Sequence, residues 1–333
     1  MASIKDIAKI TGLSLATVSR VFNNSPSVSP KTRSKVLDAA KQLDYHPNQM
    51  AAALRSGKSK IIGVIVPEVN NYFFSSIING IEKKLTDLGY RIIIAQSHES
   101  AENEHKALQS FLNLNVDGIL MSISKKTTDY TLFKKIISDQ LPIVFFDRIP
   151  KLEGINSVTL DDYKGAYIAT EHLIKGGCKH LVHIAGDSKV SIFKKRKKGF
   201  LDALAKHKHP VNTYTVSELS SNPKKDLELI NTLFQLYPTI DGIFVHGDES
   251  SLYLMNLLQS LKISIPKQLK LIGFGNANYS ELVQPPLSSI DQRCDEMGAI
   301  AATILLKHLT KKQTMPQKEI LSPKLIIRQS SAN

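Results

Sequence analysis

The chain has 333 residues, more than one ordinary core accommodates and suited to two or three domains. It has no run of about 18 apolar residues, which excludes a membrane-spanning helix. Its first residues, Met1-Ala2-Ser3-Ile4-Lys5-Asp6, lack the apolar stretch of a secretory signal. The formal charge is +13, and residues 1–60, with ten Lys/Arg against three Asp/Glu, carry +7 of it. A small basic head on a nearly balanced body points to a polyanionic partner for the head. Cys178 and Cys294 lie far apart in apolar-patterned segments and read as small buried residues of a reducing compartment, not as a disulfide.

Ser3-Ile4-Lys5-Asp6 predicts a capped helix start, with an oxygen at the cap and an acid three residues on. Ile4, Ile7 and Ala8 share one helical face. Gly12 ends that helix and Ser14 caps the next. The second helix, Leu15-Ala16-Thr17-Val18-Ser19-Arg20-Val21-Phe22, turns Val18, Val21 and Phe22 inward and leaves Ala16, Thr17 and Arg20 to project elsewhere. Ser29-Pro30 starts a third helix, with Val36, Ala40 and Leu43 on its apolar face. Two short helices around a glycine-containing turn make a helix-turn-helix. A helix of this kind fits the DNA major groove, where the planar fork of Arg20 matches two acceptors on guanine and the hydroxyls of Thr17 and Ser19 can donate to phosphates. On the residues alone, the same positions also fit a solvated helix surface.

Pro47-Asn48-Gln49-Met50-Ala51-Ala52-Ala53-Leu54-Arg55-Ser56-Gly57 follows as a short Ala-rich segment that suits a small helix ending at Gly57. A helix this short is marginal alone and needs partner contacts. From Ile61 onward the pattern alternates. Ile61–Val66, Arg91–Ala95, Gly118–Ser122, Ile143–Phe146, His180–Ala185, Gly242–Val245 and Leu269–Phe274 are strand-like, and helical spacing fills most of the gaps. Such alternation predicts parallel sheets covered by helices, and the strand number predicts two lobes. Ligands of these folds bind beyond the carboxyl ends of the strands.

The head sequence Ser3-Ile4-Lys5-Asp6-Ile7-Ala8-Lys9, then Ser14-Leu15-Ala16-Thr17-Val18-Ser19-Arg20-Val21-Phe22-Asn23, resembles that of the lactose-repressor (LacI) family. The similarity continues through Val28-Ser29-Pro30, Leu43-Asp44-Tyr45-His46-Pro47-Asn48, Ile62-Gly63-Val64-Ile65-Val66-Pro67, Phe146-Asp147-Arg148, Arg196-Lys197-Lys198-Gly199-Phe200 and Pro285-Pro286-Leu287. The resemblance implies that Leu15, Ala16 and Arg20 read bases, with Thr17, Ser19 and Asn23 beside them on DNA. It makes residues 47–60 a hinge helix and linker, in which Leu54 wedges into the minor groove with Arg55 next to it. Family members often carry Arg where this chain has Ala52. The body is implied to resemble a periplasmic sugar-binding protein, with two lobes joined by three crossings.

The resemblance also sets the candidate effector residues. Phe73 and Phe74, after the first strand, offer rings for stacking. Asp147 and Asp248 end strands and offer acceptors. Arg196 lies in the family's Arg-x-x-Gly-Phe motif, although it also sits in the charge run Lys194–Lys198 that would suit a solvated face. Val190 and Ile192 are apolar at effector-contacting positions, and Asp161 lines the crevice as its family equivalent does. After Ile272-Gly273-Phe274 the family commonly has an acid; here Gly275 and Asn276 follow, and an amide both donates and accepts.

The expected architecture is an all-α three-helix helix-turn-helix head (residues 1–46), the hinge (47–60) and an α/β two-lobed periplasmic-binding-protein-like body with parallel sheets (61–333). The lobes are expected at roughly 61–161 plus 291–320, and 162–290 plus 321–333. The expected function is that of a cytoplasmic homodimeric repressor, holding palindromic double-stranded operator DNA under control of a sugar-like small-molecule effector. No metal, cofactor or catalytic group is expected: His207-Lys208-His209 has no third ligand nearby, and no nucleophile–base pair stands out. A periplasmic-type solute-binding protein is the alternative, and it would have no use for the first sixty residues.

Overall fold

The computed structural model describes residues 2–22, 25–45, 58–208, 214–216, 219–220, 222–310 and 315–332. The expected hinge, residues 47–57, with Leu54 and Arg55, lies outside the described residues, as does Asn23. The chain divides into two compact units, Met1–Lys60 and Ile61–Asn333.

The first unit holds helices α1 (Ile4–Thr11), α2 (Leu15–Phe22) and α3 (Pro30–Gln42). At its start the Asp6 carboxylate accepts the Ser3 amide at 2.8 Å. Gly12, at φ 65°, ends α1 by donating its amide to the Ala8 carbonyl. Ser14 caps α2 by accepting the Thr17 amide, and Ser29 caps α3 by accepting that of Thr32. Ile7, Val18, Val21, Val36, Ala39 and Ala40 form the core, one face from each helix. The Arg33 guanidinium donates to the carbonyls of Val21 (3.1 Å) and Ser25 (2.9 Å), so α3 satisfies open acceptors at the end of α2.

The second unit is built on two sheets. Lobe 1 contains β1 (Ile61–Val66), β2 (Arg91–Gln96), β3 (Gly118–Met121), β4 (Ile143–Phe146), β5 (Asn156–Leu160) and β11 (Lys318–Leu321), all parallel, in the order β11-β5-β4-β3-β1-β2. Lobe 2 contains β6 (Leu181–Ile184), β7 (Tyr214–Val216), β8 (Gly242–Val245), β9 (Lys270–Gly275), β10 (Ser288–Asp291) and β12 (Lys324–Ile326), in the order β12-β10-β9-β8-β6-β7. Only the β10–β12 pairing is antiparallel among these strands. The chain therefore passes between sheets after β5, after β10 and between β11 and β12. Central strands are buried on both faces, as in the apolar run of β1, which explains their legibility as continuous hydrophobic segments.

Helices α4 (Tyr72–Thr86), α5 (Ala101–Asn113), α6 (Thr131–Ser138) and α11 (Cys294–Leu309) belong to lobe 1. Lobe 2 takes α7 (Asp162–Lys175), α8 (Ser191–Lys206), α9 (Pro223–Leu236) and α10 (Asp248–Ser260). Cys178 and Cys294 are buried and form no disulfide. The α4–α11 pair is packed backbone to backbone: a Cβ on Gly298 would stand 2.1 Å from the Ile77 carbonyl oxygen, and one on Gly80 2.0 Å from that of Asp295. A methyl there meets main chain that cannot rotate away, so the helices must part. We expect Gly298→Ala to lower body stability by about 1–3 kcal/mol; urea unfolding checks it, and an unchanged midpoint would mean the helices have room to yield.

Candidate functional site

The head presents a face that its core does not use. Leu15 is 46% exposed, and Ala16 and Arg20 are also exposed, while Val18 and Val21 from the same helix are buried. The Thr17 hydroxyl lies 2.9 Å from that of Ser14, so Thr17 takes part in the α2 cap. Ser19 is half-buried. An exposed apolar Leu15 at the start of α2 and an exposed Arg20 in its last turn are a combination suited to base edges, since one offers apolar contact and the other two parallel donors.

The body carries a crevice at the carboxyl ends of the strands of both sheets, with a cavity of about 250 Å³. From lobe 1 it is lined by Asn71, Tyr72, Phe73, Phe74, Asp147 and Arg148; lobe 2 contributes Ile192, Phe193, Arg196, His246, Asp248, Glu249, Phe274 and Tyr279, among others. Gln292, between β10 and α11, completes the wall. Asn71 caps α4, accepting the Phe73 amide at 2.8 Å, which fixes the two phenylalanines that follow. Phe73 and Phe74 meet edge to face at 5.0 Å. Tyr72 and Tyr279, one from each lobe, meet at 6.2 Å in the same manner.

Arg196 is 4% exposed and fully engaged, despite its place in a lysine run. Its Nε donates to Asp162 Oδ1 at 2.8 Å, Nη1 to the His246 carbonyl, and Nη2 to Gln292 Oε1 at 3.3 Å. Its guanidinium lies over the Phe274 ring, 3.6 Å from the centroid. Burial pushes the Asp162 carboxyl upward, and Arg196 opposes that. The partner of Arg196 is thus Asp162, not its neighbour: Asp161 caps α7 by accepting the Lys164 amide at 3.0 Å and is absent from the cavity wall.

Asp248 lines the cavity but spends its oxygens internally. Oδ1 accepts the Ser289 hydroxyl at 2.6 Å, and Oδ2 accepts the Ala277 amide at 2.9 Å and the Ser280 hydroxyl at 2.8 Å. It organises the loop after β9. Asn276 is not on the wall: its Oδ1 accepts Arg328 Nη2 at 2.8 Å and its amide donates to Ser289. Val190, the residue before α8, is buried outside the wall, whereas Ile192 is on it. Sequence reasoning missed Tyr72, Phe193, His246, Tyr279 and Gln292.

Asp147 differs from the other carboxylates. It sits just past β4 at φ 58°, with a side chain 8% exposed. Its contacts are weak: Ser122 Oγ at 3.4 Å and Arg148 Nε at 3.7 Å. Arg148 itself is bound to Glu99 at 2.6 Å. Burial pushes the Asp147 carboxyl up to about 6, with Arg148 pulling the other way. His246 is pushed down to about 4 by burial and by Arg196, so it is neutral near pH 7, and its Nδ1 is buried without a hydrogen-bond partner. Among the described residues no group of three His, Cys, Asp or Glu is arranged to hold a metal ion, and no helix is long and apolar enough to cross a membrane.

A helix-turn-helix unit joined to a two-lobed α/β body with a lined crevice defines a DNA-binding regulator of ligand-responsive type. Residues 3–48 match the model of bacterial regulatory proteins of the lacI family, and residues 170–331 that of a periplasmic binding protein-like domain. The chain is 33% identical to the ribose operon repressor of Bacillus subtilis, over 97% of this chain and 96% of that one. Its fold is similar to that of the lac repressor dimer bound to operator and the anti-inducer ONPF, with TM-score 0.86 and 22% identity over 100% and 99% of the two chains. A periplasmic binding protein/LacI transcriptional regulator from Alkaliphilus metalliredigens, complexed with D-xylulofuranose, matches with TM-score 0.72 and 27% identity over 82% of this chain and 100% of that one. The chain belongs to the LacI family of bacterial transcriptional regulators. It is a DNA-binding transcription factor of the cytoplasm and not an enzyme, as its relatives are.

Two outcomes follow from the crevice. Replacing Arg196 by Ala leaves Asp162 buried without a countercharge, and losing one member of a buried pair costs about 3–5 kcal/mol; urea unfolding of the empty protein reads this directly, and an unaltered midpoint would relegate the pair to a surface interaction. For Asp147 the folded value lies above the ordinary 3.8, so its contribution to stability is fully present below that value and lost as pH climbs through about 6. Asp147→Asn is therefore expected to stabilise the empty body relative to the parent as pH rises, by on the order of 2–3 kcal/mol at slightly alkaline pH; parallel unfolding curves across pH test it, and a constant gap would contradict it.

Proposed function

We propose that this chain is a repressor that binds a palindromic operator as a homodimer and is controlled by a small polyhydroxylated effector held in the crevice. The observation that carries the reading is the crevice wall, built from both lobes, with Asp147 on one side and Arg196 on the other. A ligand there touches both lobes and so has different affinities for different lobe arrangements, which is the requirement for coupling. Aromatic faces with a few polar groups suit a sugar, whose rings are apolar above and below and polar at the rim. The D-xylulofuranose carried by the similar Alkaliphilus protein supports that class. The name of the Bacillus subtilis relative supports repression. A cavity near 250 Å³ suits a single sugar ring.

On the DNA side, Leu15, Ala16 and Arg20 are the base-reading residues, with Thr17, Ser19 and Asn23 against the phosphates. Leu54 and Arg55 of the hinge enter the minor groove. Two-fold symmetry of the dimer requires two half-sites in inverted orientation. The solute-binding alternative gains nothing from a head whose exposed face is shaped for a groove. Arg20→Ala should weaken binding to the operator upstream of its own operon by about 1–3 kcal/mol and relax the base preference at one position per half-site. Gel shifts with operator variants measure both; unchanged affinity and preference would remove Arg20 from base reading.

A further inference from the structure

The charges around the cavity are unequal, and the inequality points to a ligand chemistry. Each arginine of the wall already has a carboxylate: Arg148 holds Glu99 at 2.6 Å and Arg196 holds Asp162 at 2.8 Å. Arg196 also donates to the His246 carbonyl and to Gln292. His246 adds no positive charge near neutral pH. Asp248 is saturated by two hydroxyls and an amide. Glu249 remains on the wall without an arginine, and Asp147 shares Arg148 with Glu99, its Oδ2 standing 3.7 Å from Arg148 Nε while Nη1 is bonded to Glu99 at 2.6 Å. Arg328, the next cation, is engaged with Asn276 at 2.8 Å and lies 3.9 Å from Glu281.

The remaining surface of the cavity is aromatic. Tyr72, Phe73, Phe193 and Tyr279 are half-buried and line it from both lobes. Ring faces attract cations through their quadrupole and reject anions. A buried carboxylate with weak contacts, inside an aromatic wall, and with nearby guanidiniums already neutralised, is an arrangement completed by positive charge. A phosphorylated or carboxylated ligand would meet guanidiniums whose charge Glu99 and Asp162 already balance, with Arg148 Nε buried and without a hydrogen-bond partner, and would be repelled by Asp147 and Glu249.

We propose that the effector is an amino sugar, a polyol bearing an ammonium group, and that Asp147 is the residue that selects the ammonium; this rests on the crevice being the effector site. The groups facing Asp147 are Arg148 beside it, Arg196 and Asp162 from lobe 2, and the Cys294 thiol at the start of α11. None of them is a second cation free to take the place of the ligand's charge.

The test is calorimetric titration of the full-length protein near neutral pH with matched pairs: D-glucosamine and D-glucose, D-galactosamine and D-galactose, D-mannosamine and D-mannose. N-acetyl-D-glucosamine and D-glucose 6-phosphate complete the panel. In at least one pair the amine is expected to bind about tenfold more tightly or better. Acetylation should erase that advantage, the phosphate ester should bind weakest, and Asp147→Asn should bring the amine-to-hydroxyl ratio close to one. Equal or tighter binding of the neutral or phosphorylated sugars, or a preference that survives Asp147→Asn, overturns the proposal while leaving the sugar-controlled regulator intact. Failure of every sugar to bind overturns both.

Discussion

The buried Arg196–Asp162 pair is the interaction on which the crevice depends. Asp162 is the first residue of α7, immediately after the first crossing between the lobes. Gln292, which accepts from the same guanidinium, lies at the second crossing, between β10 and α11. The third main partner is the carbonyl of His246 at the end of β8, and the platform beneath is Phe274 of β9. One side chain therefore ties a helix start, two strand ends and two of the three inter-lobe passages. A guanidinium suits this task because its donors are planar and diverge, so each partner is fixed in direction as well as distance. A lysine could supply the charge but not the geometry.

The same economy explains a departure from the family pattern. Where an acid is common after Ile-Gly-Phe, this chain has Gly275 at φ 150°. A Cβ there would stand 3.3 Å from the Asp248 carboxylate, and one on Gly273 would stand 2.3 Å from Asp248 Oδ1. The two glycines of β9 make room for a carboxylate that arrives from α10. An acid at 275 would place a second negative charge against the first in a buried setting, with no cation to separate them. Asp248 in turn holds Ala277, Ser280 and Ser289, so the loop carrying Tyr279 is shaped from below by that one group. The acid we propose for the ligand, Asp147, reaches the wall from the opposite lobe.

Much of this was legible in the sequence, and the failures have physical reasons. The three helices of the head are marked by Ser3, Gly12, Ser14 and Ser29-Pro30, each of which meets its capping role. Six of the seven apolar runs of the body correspond to buried central strands and the seventh, Arg91–Ala95, to the half-exposed edge strand β2, but β5, β10, β11 and β12 are short and partly polar, and β7 spans only Tyr214–Val216. The two serines that open β10 are buried because the Ser288 hydroxyl donates to the Arg328 carbonyl and that of Ser289 to the Asp248 carboxylate, which composition does not reveal. Asp161 and Asp162 are adjacent acids, and the helix begins between them: one caps the backbone and the other turns inward. Arg196 had a usable signal. Ile192, Arg196, Gly199, Phe200 and Ala203 recur at helical spacing and are all buried, so the phase of α8 separates the arginine from the four exposed lysines around it. Asn276 left the wall because its backbone, at φ 49°, turns its amide toward Arg328.

The head and the body illustrate two opposite ways in which function is written into residues. In the head, Leu15, Ala16 and Arg20 are exposed and make no contribution to the core formed by Ile7, Val18, Val21 and Val36, so their identities are free to be set by DNA. In the crevice, the informative residue is one the fold tolerates at a cost. Asp147 is buried with only a distant hydroxyl and a committed arginine for company, and its raised carboxyl records the desolvation that the protein leaves uncompensated. Arg196 and Asp248 are buried just as deeply, yet each makes three hydrogen bonds within the chain. A buried charge that the chain does not neutralise is stable only while something else completes it. Burial alone therefore does not distinguish a structural carboxylate from a binding one; the count of partners does, and by that count Asp147 stands apart from Asp162 and Asp248.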